Sequence, residues 1–221
     1  MAGTVFLFDV DNTLLDNDRV AADLRDHLGR TIGRRRQERY WALFEQIRSE
    51  VGYADYLGAL QRYRLENPTN QHILEVSFFL LDYPFAERVY PGALDAVARA
   101  RQLGQAVILS DGDVVFQPHK IRRSGLLAAF GGNVLVTIHK EAELAEVENR
   151  FPADHYVLVD DKLRILDAVK QVWGSRVTTV FPRQGHYAHD PDILASFPPA
   201  DLTIASIAEL PAHFGRELAK S

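Results

Sequence analysis

Short apolar runs alternate with longer amphipathic stretches over most of the chain. Each run is rich in β-branched residues and apolar on both faces, which is typical of strands in a parallel sheet that helices cover on both sides. Alternation of strands and helices with short connections implies right-handed crossovers. We therefore predict an α/β fold with a doubly wound, Rossmann-like parallel sheet. The predicted strands lie at 4–9, 106–110, 134–137, 156–160, 177–181 and 202–204, and the helices of the same layer pattern at 92–103, 115–124, 140–150, 163–173 and 206–219.

The stretch between the first two predicted strands breaks this alternation, because about 75 of its residues have helical periodicity alone. Asn67-Pro68 interrupts the pattern, and Thr69 or Asn70 provides a good N-cap for the helix that follows. Four helices are predicted there, at 18–29, 33–50, 53–65 and 70–81. We interpret the stretch as an all-helical domain inserted after the first strand. The predicted domains are an α/β core at 1–15 and 91–221 and the helical insertion at 16–90.

Composition removes several classes of protein. The 221 residues carry 25 Lys and Arg against 30 Asp and Glu, a net charge of −5, so no basic excess indicates a nucleic-acid partner. The absence of cysteine excludes disulfides and thiolate metal sites. No apolar run approaches the roughly 18 residues that span a bilayer, and no basic region with an apolar segment opens the chain. We therefore expect a cytoplasmic protein, monomer or homodimer, that binds neither nucleic acid nor membrane.

Polar residues cluster where the predicted strands end. In an open parallel sheet, ligands bind beyond the carboxyl ends of the strands, so these residues are expected to meet at one edge. Together they supply acids, hydroxyl groups and lysines. The four groups are Asp9-Val10-Asp11-Asn12-Thr13, Ser110-Asp111-Gly112-Asp113, His139-Lys140 and Asp160-Asp161-Lys162.

This set of residues indicates phosphoryl chemistry. Asp9 and Asp11 are two residues apart, so in an extended strand end their side chains share a face. Several carboxylates without cysteine suit a hard cation such as Mg²⁺ better than zinc. One carboxylate can attack phosphorus to form an aspartyl phosphate, and a second can protonate the leaving alkoxide and then activate water. Thr13, Ser110 and Lys140 can donate hydrogen bonds and positive charge to phosphoryl oxygens.

Residues 8–14, Phe-Asp-Val-Asp-Asn-Thr-Leu, resemble the first motif, DxDx[TV], of the haloacid dehalogenase-like superfamily. The other motifs follow in the family's order: an apolar strand that ends in Ser110, a lysine at position 140 and an acidic pair at 160–161. A helical cap of the first insertion type separates the first two motifs. The resemblance covers the whole chain and implies a Mg²⁺-dependent phosphatase that acts on a small phosphorylated metabolite through a phosphoaspartate.

The resemblance implies roles for individual residues. Asp9 would be the nucleophile and Asp11 the general acid and base, and the Asp9 carboxylate and the Asp11 backbone carbonyl would both be Mg²⁺ ligands. Thr13 and Ser110 would bind the phosphoryl group. Asn12, which also stands at this place in nucleotidase-like members, is a further candidate for substrate binding.

Two assignments within this resemblance stay open. Lys140 is expected to neutralise charge on Asp9 and on the phosphate, but it lacks the proline that commonly follows this lysine, so Lys120 is an alternative. The acidic pair also lacks the third acid that many members carry four or five residues later. Asp161, with Asp160 beside it, is expected to complete the metal site, and which of the two touches the metal is open.

Other functions of the same fold are alternatives. A 2-haloacid dehalogenase is disfavoured by Asp11, because members with that activity lack the second acid of the first motif. A phosphomutase would also need Asp11 and would differ in its cap residues. A catalytically silent binding protein would keep the site without turnover. A phospho-acceptor receiver domain is excluded by its layout, since it has no helical insertion and carries its acid pair after the first strand.

Several polar and aromatic residues have an ordinary structural interpretation. Asp111 and Asp113 are assigned to turns and capping, and His186 and His189 follow the fifth strand with no assigned role. A run of cap arginines is typical of a solvated helix face, with contact to an anionic substrate as the alternative: Arg34, Arg35, Arg36 and Arg39. Six cap aromatics at near-helical spacing are interpreted as core, with a pocket for an aromatic or nucleoside group as the alternative: Tyr40, Trp41, Phe44, Tyr53, Tyr56 and Tyr63.

Overall fold

The computed structural model describes residues 3–214 and forms one six-stranded sheet from them. Its strands are Thr4–Phe8 (β1), Gln105–Asp111 (β2), Val134–Thr137 (β3), His155–Val159 (β4), Val177–Pro182 (β5) and Leu202–Ile204 (β6). All neighbouring strands pair in parallel, in the order β3-β2-β1-β4-β5-β6. The order reverses at β1, which lies between β2 and β4, and this confirms the predicted doubly wound α/β fold.

Helices connect the strands and also fill the stretch between β1 and β2. They are Asn17–Ile32 (α1), Arg34–Val51 (α2), Tyr56–Glu66 (α3), Ile73–Asp82 (α4), Ala93–Leu103 (α5), Phe116–Arg123 (α6), Leu126–Ala129 (α7), Leu144–Arg150 (α8), Leu163–Trp173 (α9), Pro191–Ser196 (α10) and Leu210–His213 (α11). Within residues 3–214, none of the helices is both long enough and apolar enough to cross a membrane.

Alternate residues of β1 enter two separate hydrophobic cores. Phe6 and Phe8 pack into one cluster, whereas Val5 and Leu7 pack into the other. Successive side chains of a strand point to opposite faces of the sheet, so a strand covered on both sides must be apolar at every position. The unbroken apolar run of β1 is therefore the direct consequence of its central place in the sheet.

The helices α1–α4 pack together as a layer above the carboxyl end of the sheet. The buried residues of α1 are spaced by four along one face: Val20, Leu24, Leu28 and Ile32. The chain turns from α1 into α2 at Gly33, whose φ of 82° lies in the left-handed region that glycine adopts without steric cost.

The two connections between this helical layer and the sheet run side by side. The backbone N–H of Asp16 donates to the carbonyl of Arg88 over 2.8 Å, and Leu15 and Val89 form an antiparallel bridge. The chain therefore leaves the sheet domain and returns to it at the same point.

Three predicted elements differ from the observed ones. The fourth cap helix begins at Ile73 with His72 as its N-cap, not after Thr69 or Asn70, because the Asn70 side chain accepts the backbone N–H of His72 in a preceding turn. The segment predicted as a helix at 140–150 is divided into a 3₁₀ turn at Lys140–Ala142 and the helix α8. The segment predicted as a helix at 206–219 contains a 3₁₀ turn and α11, and its last part lies outside the described residues.

Candidate active site

The candidate site lies at the carboxyl end of the sheet, around the central strand β1. Asp9 directly follows β1, Ser110 is the penultimate residue of β2, and Asp160 directly follows β4. The register between β1 and β4 aligns the residue before Asp9 with the residue before Asp160. Parallel pairing therefore brings together side chains that are far apart in the sequence.

Lys140 links these strand ends from a fully buried position. Its Nζ donates to Asp9 Oδ1 over 2.5 Å and to Asp160 Oδ2 over 2.7 Å. Its backbone N–H donates to the Asp111 carboxylate over 2.8 Å, which also accepts the Thr137 hydroxyl over 2.8 Å. Burial alone would lower the pKa of Lys140, but the carboxylates of Asp160 and Asp9 raise it above its usual value. Conversely, burial would raise the pKa of Asp9, and the charge of Lys140 lowers it.

Three buried acids at the site have the composition of a metal centre. Asp9, Asp160 and Asp161 each offer a carboxylate oxygen, and these oxygens lie within 4.8 Å of one another. Both carboxylate oxygens of Asp161 are buried without a hydrogen-bond partner, and burial raises the pKa of this group well above its usual value. Unpaired buried carboxylates are unfavourable unless a cation compensates them. An oxygen-only set of this kind fits Mg²⁺.

Asp11 lies beside a second buried lysine. Lys120 Nζ donates to the two carboxylate oxygens of Asp11 over 2.5 and 2.7 Å and to Asn17 Oδ1 over 3.3 Å. The two lysines considered for one role therefore contact different acids, Lys140 at Asp9 and Lys120 at Asp11. The Asp11 side chain is 21% exposed and faces the cavity described below.

Two hydroxyl groups contact the Asp9 carboxylate. Ser110 Oγ donates to Asp9 Oδ1 over 3.3 Å, and Thr13 Oγ1 donates to Asp9 Oδ2 over 3.4 Å. Each hydroxyl is held by another group: Gln117 Nε2 donates to Ser110 Oγ over 2.9 Å, and the backbone N–H of Asp161 donates to Thr13 Oγ1 over 3.0 Å. Both long contacts leave the hydroxyls free to turn towards another acceptor next to Asp9.

Asn12 has a structural task in the loop after β1. Its φ of 60° is left-handed, a conformation that asparagine tolerates better than most residues. Its Oδ1 accepts the backbone N–H groups of Asn17 and Asp18 over 3.0 and 3.1 Å at the start of α1. The Asn12 side chain therefore anchors the cap to the loop that carries Asp9 and Asp11.

A cavity of about 830 Å³ lies between the strand ends and the cap helices. Asp11, Asp161 and Lys162 contribute to its floor from the sheet side. Four of the six cap aromatics line it, namely Trp41, Phe44, Tyr53 and Tyr56, whereas Tyr40 and Tyr63 are fully buried in the core of the cap. Trp41, Phe44 and Tyr56 are at the same time buried members of the hydrophobic core, as predicted, so the core also forms part of the cavity wall, whereas Tyr53 is only partly buried.

The remaining candidates of the sequence lie at the cap surface or at the cavity mouth. Arg34 pairs with Glu38 and Arg39 with Glu66 on exposed faces, and none of the four arginines of the run lines the cavity. His186 lines the cavity, where its Nδ1 contacts Asp18 Oδ1 at 2.7 Å. Asp113 accepts hydrogen bonds from the backbone N–H groups of Val115 and Phe116, as expected for a capping residue. His189 is exposed and does not line the cavity.

Sequence reasoning missed three residues that contact the site. Asp111, assigned to a turn, fixes the backbone of Lys140. Gln117 bonds Ser110, and its spacing of three from Lys120 on a helix is a signal that both side chains face one way. Lys162 places its Nζ 5.7 Å from the centre of the Tyr187 ring. Burial alone would lower the pKa of Lys162, but the carboxylates of Asp161 and Asp9 raise it above its usual value.

Comparison with known proteins agrees with the fold and the motifs. Residues 4–174 match the family model of the haloacid dehalogenase-like hydrolases. A search of proteins with curated function gave no match.

Solved structures resemble the chain over nearly its whole length. A protein of Burkholderia xenovorans described as a haloacid dehalogenase-like hydrolase shares 59% of its residues, with 97% of each chain covered and a TM-score of 0.93. A hydrolase of the same description from Xanthomonas campestris is 22% identical, with 96% of this chain and 90% of that chain covered and a TM-score of 0.65. The L-2-haloacid dehalogenase of Xanthobacter autotrophicus is 17% identical, with 96% and 98% covered and a TM-score of 0.62. The last two show a shared fold.

Proposed function

The chain belongs to the haloacid dehalogenase-like hydrolase family, and we propose that it is a Mg²⁺-dependent phosphatase that hydrolyses a small phosphorylated metabolite through a phosphoaspartate. The observation that carries this proposal is the Asp11 carboxylate, which faces the cavity two residues after Asp9. An alkoxide is a strong base and needs a proton as it leaves, whereas a halide leaves without one. A second acid at this place therefore favours phosphate esters over haloacids as substrates.

The proposed reaction has two displacements at phosphorus. An Asp9 oxygen forms a bond to phosphorus while the bond from phosphorus to the ester oxygen breaks, and Asp11 donates its proton to that oxygen. Asp11 then removes a proton from water, whose oxygen attacks phosphorus and releases inorganic phosphate with the Asp9 carboxylate restored. Lys140 keeps Asp9 ionised, and Ser110 and Thr13 donate hydrogen bonds to phosphoryl oxygens.

The acids at the ends of β1 and β4 would hold the metal ion. Asp9, Asp160 and Asp161 supply carboxylate oxygens, with the backbone carbonyl of Asp11 as a further ligand implied by the family motif. When bound, Mg²⁺ supplies positive charge that offsets the repulsion between the Asp9 carboxylate and the phosphoryl group.

Phosphate release tests this function directly. The substrates are a panel of phosphorylated metabolites, an aryl phosphate and, as the competing chemistry, 2-chloropropionate, each with Mg²⁺ and with chelator. We expect phosphate release that requires Mg²⁺ and no chloride release. Chloride release without phosphatase activity, or turnover that chelator does not affect, would overturn the proposal.

Removal of the unpaired acid tests the metal site without using turnover. Mg²⁺ at 100 times its dissociation constant is expected to stabilise the wild-type protein by about 2.7 kcal/mol. Asp161→Asn removes a buried carboxyl group that has no hydrogen-bond partner and whose charged form burial disfavours, so this variant should be at least as stable as wild type in chelator but should gain little from Mg²⁺. Thermal unfolding with and without Mg²⁺ measures both effects. Asp154→Asn, at an exposed position, is the control and should respond as wild type does.

Asp11→Asn tests the general acid and base. Loss of proton transfer is expected to reduce kcat by about 10²–10⁴-fold. The loss in kcat/KM, which reports the formation of the phosphoenzyme, should be larger for an alkyl phosphate than for p-nitrophenyl phosphate, because nitrophenolate leaves without a proton. Since Asp11→Asn deprives the buried Lys120 of its carboxylate, the double variant Asp11→Asn/Lys120→Met serves as the comparison for folding. Equal losses in kcat/KM for both leaving groups would contradict the assignment.

A further inference from the structure

The cap wall of the cavity contains a buried donor without an acceptor. Trp41 lies on α2, is 8% exposed and lines the cavity, and its Nε1–H is buried with no hydrogen-bond partner. Native proteins satisfy nearly all buried polar groups, so a group without a partner requires a specific explanation, of which a role in binding or catalysis is one. The ring is also firmly positioned, because it packs edge-on against Tyr40, Phe44 and Tyr56.

A cation without a carboxylate partner lies against the same ring. The guanidinium carbon of Arg25, on α1, is 4.4 Å from the centre of the Trp41 ring, and Arg25 also lines the cavity. Among residues 3–214, no acidic group lies within 4.0 Å of the Arg25 guanidinium nitrogens. By contrast, Arg48, the other cap arginine that lines the cavity, lies 3.5 Å from Glu45. A guanidinium that stacks on an aromatic ring keeps its in-plane N–H donors available.

The wall that holds these donors continues to the reacting centre. Tyr56, which packs edge-on against Trp41, accepts a hydrogen bond from Asn17 Nδ2 over 3.3 Å. Asn17 in turn accepts from Lys120, which holds Asp11. The donors of Arg25 and Trp41 and the proton donor for the leaving group are therefore parts of one connected wall of one cavity.

We propose that Trp41 and Arg25 form a subsite for an oxyanion on the leaving group of the substrate. The oxyanion accepts the indole N–H and the guanidinium N–H groups, as carboxylates and phosphates do at arginine. The inference rests on the proposed function, because the phosphoryl group of the same molecule lies at Asp9. The substrate class is accordingly a phosphate monoester that carries a second acidic group at its far end.

The acids near the subsite do not fill it. Glu45 lines the cavity but lies 3.5 Å from Arg48, which belongs to the same helix. Asp26, an exposed neighbour of Arg25 on α1, also lines the cavity but forms no ion pair with the Arg25 guanidinium. Arg48 also lies 5.8 Å from the Tyr187 ring. Among the cap residues that line the cavity, Arg25 is therefore the cation that lies against the ring with the unpaired buried donor, the indole N–H group of Trp41.

Binding of matched phosphonates tests the subsite independently of turnover. The probes are 4-carboxybenzylphosphonate and its neutral isostere 4-carbamoylbenzylphosphonate, with the corresponding biphenyl pair as a longer spacer and p-xylylenebisphosphonate as the second oxyanion type. Calorimetry with Mg²⁺ is expected to give at least about 10-fold tighter binding of the acidic member of a pair, the usual size of a charge-assisted contact. The bisphosphonate shows whether the subsite prefers phosphate or carboxylate.

Variants show which residues cause the preference for the acidic probe. Trp41→Phe keeps an aromatic ring but removes the indole N–H, and Arg25→Gln removes the charge. Each should abolish most of this preference, while binding of the amide probe changes by less than about 2-fold. Arg36→Gln, an exposed cap arginine that does not line the cavity, should keep it. Equal binding within both pairs, absence of binding, or a preference retained in Trp41→Phe and Arg25→Gln overturns the subsite. Phosphate release without tighter binding of the acidic probes would contradict the subsite alone. Tighter binding of the acidic probes without phosphate release would contradict the proposed function alone.

Discussion

Asp9→Asn is expected to abolish turnover, with a loss of at least about 10⁴-fold, while the protein remains folded. The amide is a poor nucleophile, so the covalent step is lost. Its oxygen can still accept from Lys140 and Ser110, and its NH₂ group can donate to the Thr13 hydroxyl. The variant also leaves Lys140 paired with the Asp160 carboxylate over 2.7 Å, so the protein should remain folded in chelator.

Phosphate release and trapping of the phosphoenzyme measure this effect together. Wild type should incorporate acid-stable label from a phosphorylated substrate, and Asp9→Asn should not. Asp113→Asn, at the same edge of the sheet but bonded only to its own turn, is the control with normal turnover. Substantial hydrolysis by folded Asp9→Asn would show that another group attacks phosphorus.

Lys140→Met is expected to cause the largest loss of stability and a loss of turnover together. The substitution leaves the buried carboxylates of Asp9 and Asp160 without their common cation. Removal of one partner from a buried ion pair typically costs 3–5 kcal/mol. Urea unfolding in chelator should therefore give a free energy of unfolding lower by about that amount. Turnover should fall even where the protein is folded, since Asp9 loses the charge that lowers its pKa.

Two further variants distinguish this effect from a general loss of lysine. Lys170→Met breaks a half-exposed pair with Asp201 at 2.7 Å and should cost no more than about 1 kcal/mol. The double variant Lys140→Met/Asp160→Asn removes one of the two carboxylates that Lys140→Met leaves without a cation. Its stability should therefore recover in part, whereas its turnover should not. If Lys140→Met were no less stable than Lys170→Met, the buried lysine would not be the group that balances these acids.

Much of the fold can be predicted from local patterns. Each central strand is apolar at every position after its first residue because both of its faces are covered there, and this is visible in the sequence of β1 and β4. A doubly covered strand has few polar residues in its interior, so the acids and hydroxyl residues that follow these strands stand out in the sequence. Since parallel strands end at one edge, Asp9, Ser110 and Asp160 could be expected to meet before any coordinates were known.

The details that escaped prediction depend on packing between distant segments. Tyr40 and Trp41 are adjacent in the sequence and both belong to the core, yet only Trp41 also lines the cavity, because the placement of α1 and α3 around α2 decides which side is covered. Lys120 and Lys140 both follow strands and both become buried, and only the three-dimensional arrangement assigns one to Asp11 and the other to Asp9. In the sequence, Asp111 cannot be distinguished from an ordinary turn aspartate, because its contact with the backbone N–H of Lys140 depends on the three-dimensional structure.

The side-by-side connections of the cap have a consequence for how the chain folds. β1 must pair with β2, whose first partner residue lies 100 positions later, at Val5 and Gln105. Closing a loop of that length in an unfolded chain carries an entropic cost that grows with the logarithm of its length. If the helical insertion condenses first, it brings Leu15 and Val89 together, and the effective loop shrinks to the segments 5–15 and 89–105, about a quarter of its original length. The order of events would then be helices before sheet, and a variant that weakens the cap, even far from any strand, would slow the folding of the whole molecule.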